Sequence, residues 1–88
     1  MRIQVSRTGG FAGIARRRAI DTEGRADTAE WRSLAEEALG AARDTSPTGV
    51  PDGFRYEITV DGRTVYCADP DLTGAQRTLI SRVLEEGA

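Results

Sequence analysis

The sequence predicts an α+β fold: a single four-stranded antiparallel sheet in ββαββα order, with two helices on one face. Three observations predict it. Apolar and polar residues alternate over 2–8 and 54–67, the spacing of half-buried strands. Apolar residues recur at helical spacing over 31–42 and 72–84. The hairpin over 54–68 keeps one polar face, as expected of a sheet covered on one side only. A length of 88 residues is that of one domain, 1–88, with a modest core.

The first strand covers about Arg2–Thr8, where Ile3 and Val5 alternate with Arg2, Gln4 and Ser6. A second extended run follows from Ile14 to Asp21. Its facing is open: Ile14 and Ile20 share a parity with Arg16 and Arg18, and Ala15 and Ala19 share one with Arg17. A bulge would reconcile the two sets. The first helix starts at Asp27, with Glu30 placed to reach back in a capping-box arrangement. Its apolar stripe is Trp31, Leu34, Ala35, Ala38, Leu39 and Ala42. Asp44 to Gly53, with Pro47, Gly49 and Pro51, reads as a loop.

The next hairpin has the clearest local signal. Phe54, Tyr56, Ile58 and Val60 share one face, and Asp61-Gly62 is a preferred two-residue turn. That turn sets Ile58 opposite Val65 and Tyr56 opposite Cys67, so the apolar residues of both strands coincide. Thr59/Thr64 and Glu57/Tyr66 fall on the wetter face. Asp69-Pro70-Asp71 ends the hairpin. Thr73 with Gln76 forms a second capping box, and Leu72, Ala75, Leu79, Ile80, Val83 and Leu84 form the second stripe. The last residues, Glu85 to Ala88, are expected to fray.

Composition excludes several function classes. The chain has no histidine, which removes the commonest general base and zinc ligand and rules out triad and Cys-His catalysis within it. A lone Cys67 cannot form an internal disulfide and falls on the core face. Asp69 and Asp71 lack the ligand series of a calcium loop. No cofactor or metal is expected. A net charge of −2 gives no global pull toward nucleic acid or a membrane surface. The N-terminal residues lack the apolar core of a signal peptide, so the chain is expected to stay in the cytoplasm, monomeric when free.

What remains is the stretch Ser6-Arg7-Thr8-Gly9-Gly10-Phe11-Ala12-Gly13-Ile14. A strand that stops at Gly-Gly is a turn signal, because glycine takes positive φ without steric cost. A phosphate-binding loop would run into a helix and carry a lysine; this one runs into a strand, and the chain has no lysine. The large ring of Phe11 must find apolar surroundings. The chemistry leaves two fates open: a fold-back onto its own core, or a pocket on a partner. The candidate partner-binding residues are therefore Thr8, Gly9, Gly10, Phe11, Ala12 and Gly13. Arg7, Arg16 and Arg18 are secondary candidates. In the run Arg16-Arg17-Arg18 at most two side chains can converge, since strand neighbours point to opposite faces. Its other reading is a solvated strand face.

Thr8-Gly9-Gly10-Phe11-Ala12-Gly13-Ile14, followed by a strand, a helix, the hairpin strand Phe54-Arg55-Tyr56-Glu57-Ile58-Thr59-Val60 and a last helix, resembles the emfourin (protealysin inhibitor) family. The resemblance implies a small intracellular bacterial inhibitor of thermolysin-like metallopeptidases. It implies a reversible, substrate-competitive mode in which the glycine loop carries Phe11 into the protease cleft and the target supplies the zinc. A reading from another class is a non-inhibitory binding module that grips its partner with Arg16–Arg18 and the open sheet face.

Overall fold

The computed structural model describes residues 1–9, 16–42, 54–68 and 72–88. The elements follow the expected order: β1 (Arg2–Gly9), β2 (Arg16–Asp21), α1 (Thr28–Gly40), β3 (Phe54–Val60), β4 (Arg63–Ala68) and α2 (Gly74–Glu86). The strands form one antiparallel sheet in the order β2-β1-β3-β4. The expected loop over 44–53 and the break at 69–71 lie outside the described residues.

One face of the sheet carries the core. Ile3, Val5, Ile20, Tyr56, Ile58, Val60, Val65 and Cys67 are buried together with Trp31, Ala35 and Ala38 of α1 and Leu79, Ile80, Val83 and Leu84 of α2. The β3–β4 register sets Ile58 opposite Val65 and Tyr56 opposite Cys67, as the Asp61-Gly62 turn predicts. Asp61 and Gly62 take φ of 48° and 88°, the left-handed pair that a two-residue hairpin turn requires. The start of β1 ties this turn down: Arg2 N donates to Asp61 Oδ1 at 3.0 Å, and Asp61 N donates to the Arg2 carbonyl at 3.1 Å. The opposite face holds Gln4, Ser6, Thr59, Thr64 and Tyr66, with Thr59 and Thr64 hydroxyls 3.0 Å apart.

Three expectations need correction. First, no bulge interrupts the described part of β2. Its pairing with β1 runs unbroken from Arg2 opposite Asp21 to Arg7 opposite Arg16. Arg16 and Arg18 therefore share the helix-covered face with Ile20. An outer strand tolerates this because long side chains reach past the core to its rim. Ile14 and Ala15, the expected start of this strand, lie outside the described residues. Second, Asp27 precedes α1 but its carboxylate makes no capping hydrogen bond. Third, the chain end does not fray. Ala88 and Ala19 exchange backbone hydrogen bonds of 3.0 and 3.1 Å, so the end pairs with the outer side of β2. Gly87 makes this approach possible, since a Cβ there would lie 2.6 Å from the Val83 carbonyl oxygen and 2.8 Å from that of Ala19.

The second capping box forms as expected. Gln76 N donates to Thr73 Oγ1 at 3.1 Å, and Thr73 N donates to Gln76 Oε1 at 3.0 Å. Gln76 is buried, and its Nε2 donates to the Ala38 carbonyl at 3.2 Å. One side chain thus closes the start of α2 and satisfies an orphan carbonyl in the last turn of α1.

Candidate functional site

The ends of the four strands at Gly9, Arg16, Phe54 and Ala68 lie together at one end of the sheet, since Gly9 pairs with Phe54, Arg7 with Arg16, and Arg55 with Ala68. This is the end from which the glycine loop departs and to which it returns. Gly9 has φ of 87°, so β1 ends in the left-handed conformation that its glycine permits. Thr8 is exposed and lies opposite Arg55. Gly10, Phe11, Ala12 and Gly13 lie outside the described residues. β1 itself is an inner strand, hydrogen-bonded to β2 on one side and β3 on the other, so the entry to the loop is fixed from both sides.

Around this root the sheet brings arginines together on the helix-covered face. Arg7 lies opposite Arg16 on one side and Tyr56 on the other. Its guanidinium carbon sits 4.5 Å from the centroid of the Phe54 ring, a cation–π distance. The Phe54 and Tyr56 rings are 6.4 Å apart and tilted by 51°. Arg7 Nε is buried and has no hydrogen-bond partner among the described residues. Arg16 Nη2 donates to the Leu84 carbonyl at 3.1 Å, near the C-terminus of α2, where a cation also meets the negative end of the helix dipole. Arg18 Nη1 donates to the Arg17 carbonyl at 2.8 Å.

The arginine run is thus divided between faces. Only Arg17 points to the open face, where its Nε donates to Ser6 Oγ at 3.2 Å. A single patch made of Arg16–Arg18 and the open sheet face is not what this register builds. The contact between Arg7 and Phe54 escaped the sequence reading. It depends on β1 lying beside β3, and no local pattern encodes that pairing.

A second polar cluster joins the two helices. The Trp31 ring is buried, with the guanidinium carbon of Arg82 4.2 Å and that of Arg25 5.9 Å from its centroid. Asp27 accepts from Trp31 Nε1 at 3.1 Å, from Arg25 Nε at 3.0 Å and from Arg82 Nη2 at 3.2 Å. Glu86 pairs with both arginines. The hydrogen bond and charge of Arg25 hold the Asp27 carboxyl below the usual carboxylate range, with the Trp31 N–H adding to the effect and burial opposing it. A shallow groove beside this cluster, of about 340 Å³, is lined by Glu30, Ser33, Leu34, Glu37, Thr78 and Arg82. Among the described residues, no three cysteine or carboxylate ligands converge on a common point. No helix among them is long and apolar enough to cross a membrane.

The order of elements and the single four-stranded sheet define a small α+β domain. The family model described as Emfourin matches residues 5–84, and the chain belongs to that family. Emfourin is a family of protease inhibitors, and membership implies an inhibitory role in general, with a protease as the partner. Comparison with curated proteins and with solved structures returned no match.

Proposed function

We propose that this protein is a reversible, substrate-competitive inhibitor of a thermolysin-like zinc metalloprotease, and that it inserts the Thr8–Gly13 loop, led by Phe11, into the protease cleft. The observation that carries this reading is the Emfourin match over residues 5–84, a span that includes the whole loop. The root of the loop supports it. An inner strand holds the entry, and Gly9, its last residue, has a positive φ of 87°. Preorganised loop ends reduce the entropy lost on binding.

The chemistry on each side is complementary. Thermolysin-like enzymes favour a bulky apolar residue just after the scissile bond, so a phenylalanine ring suits their main pocket. Full burial of that ring contributes up to ~3 kcal/mol before the cost of ordering the loop. Gly9, Gly10 and Gly13 lack the side chains that would keep a backbone away from the cleft floor. The protease supplies the zinc, and the inhibitor acts in the cytoplasm, where a single thiol stays reduced.

A titration against a thermolysin-like protease and a serine protease, each read with a fluorogenic peptide, tests the proposal. Saturable inhibition of the metalloprotease alone, relieved by excess substrate, is the expected result. No inhibition of any thermolysin-like enzyme at micromolar concentration would refute it.

A further inference from the structure

We infer that Arg7, Arg16 and Arg18 form a cationic docking patch beside the glycine loop, and that the patch engages a carboxylate-rich rim on the target protease. The inference rests on the proposed inhibitory role and adds the chemistry of the partner surface.

The register puts the three side chains on one face, with Arg7 directly opposite Arg16 and Arg18 two residues further along β2. Like charges directly opposite across a strand pair destabilise a sheet. Nothing among the described carboxylates offsets them: none of these three arginines belongs to an ion pair there. The contrast with the helical cluster is sharp. Arg25 and Arg82, on the same acidic chain, are each paired with Asp27 and Glu86. Other described arginines, Arg2, Arg17 and Arg77 among them, also hold no ion pair, so what sets Arg7, Arg16 and Arg18 apart is that the register gathers them on one face at the root of the loop.

The contacts these arginines make among the described residues include no carboxylate. Arg16 and Arg18 each donate to a backbone carbonyl, and Arg7 stacks on Phe54 with its Nε unbonded among the described residues. A carboxylate from outside would gain charge-assisted hydrogen bonds and relieve the repulsion between Arg7 and Arg16. Such contacts act chiefly on the rate of association, because complementary charge steers the encounter.

The test is the association rate with a thermolysin-like protease, measured between 25 and 500 mM NaCl, for the natural protein and the double variant Arg16→Gln/Arg18→Gln. The natural protein should lose about tenfold in rate across this range. The double variant should associate about three- to tenfold more slowly at low salt, with a flatter salt dependence and a nearly unchanged dissociation rate. Melting curves check that the variant folds. Should loss of the Arg16 contact to Leu84 unfold it, Arg18→Glu alone keeps that contact and should slow association by a similar factor. Inhibition that ignores both salt and these substitutions would overturn the patch and leave the inhibitory role standing. Absence of inhibition by the natural protein at every salt concentration would overturn both. Binding to phosphatidylserine vesicles that is lost in the double variant, with inhibition kinetics unchanged, would reassign the patch to a membrane surface.

Discussion

The two helices begin with the same sequence device and use it differently. Asp27-x-x-Glu30 and Thr73-x-x-Gln76 are both capping-box patterns. At α2 the box closes, with Thr73 in the extended conformation (φ −72°, ψ 166°) that an N-cap favours. At α1 it does not. Asp27 has φ −98° and ψ 20°, and its carboxylate is taken by Arg25, Trp31 and Arg82. The difference is one of competition. A hydroxyl such as that of Thr73 has mainly its own turn to bond. A carboxylate attracts guanidinium groups from anywhere in the fold, and Arg82 reaches it from across the helix pair. A local motif is therefore a reliable guide to local structure only where no stronger distant partner is present.

The largest effect that sharpens this comparison comes from the third residue of each box. Gln76→Ala removes the partner of the buried Ala38 carbonyl and of the part-buried Thr73 N–H, and should destabilise the protein by about 1–3 kcal/mol in chemical denaturation. Glu30→Ala should change stability by less than about 0.5 kcal/mol, because Glu30 is exposed and only grazes Arg82 at 4.0 Å. Equal losses at the two positions would mean that α1 has a working capping box after all.

A smaller effect belongs to Asp27 and depends on pH. Its native pKa lies below the usual range, so its contribution is present above about pH 4, where an unfolded aspartate is ionised, and is lost as pH falls through the lower native value. The melting-temperature gap between the natural protein and Asp27→Asn should be widest near neutrality and should close in strong acid. A gap that stays constant from pH 7 to pH 2 would show that the charge of Asp27 contributes nothing.

The same reasoning explains what was legible in the sequence. The β3–β4 register could be read because the Asp61-Gly62 turn and the apolar alternation independently demand the same pairing. The facing of β2 could not, because Arg16 and Arg18 occupy positions on the core side and look, in sequence, like solvent-facing residues. The Ala88–Ala19 pairing and the Arg7–Phe54 stack join residues far apart in the chain, and neither leaves a periodic trace. For the candidate site, composition alone marks Thr8–Gly13 as a glycine loop around one aromatic ring, and the positive φ of Gly9 agrees with that reading. The arginines around the loop become a group only once β1 is placed between β2 and β3.

The most direct test of the proposed mechanism is Phe11→Ala, assayed for inhibition and for melting temperature on the same preparation. If the ring enters a protease pocket, inhibition should weaken by about 2–3 kcal/mol, roughly 30- to 150-fold, while the melting temperature stays nearly unchanged. Undiminished inhibition together with a large drop in melting temperature would contradict insertion and make Phe11 part of the protein's own core.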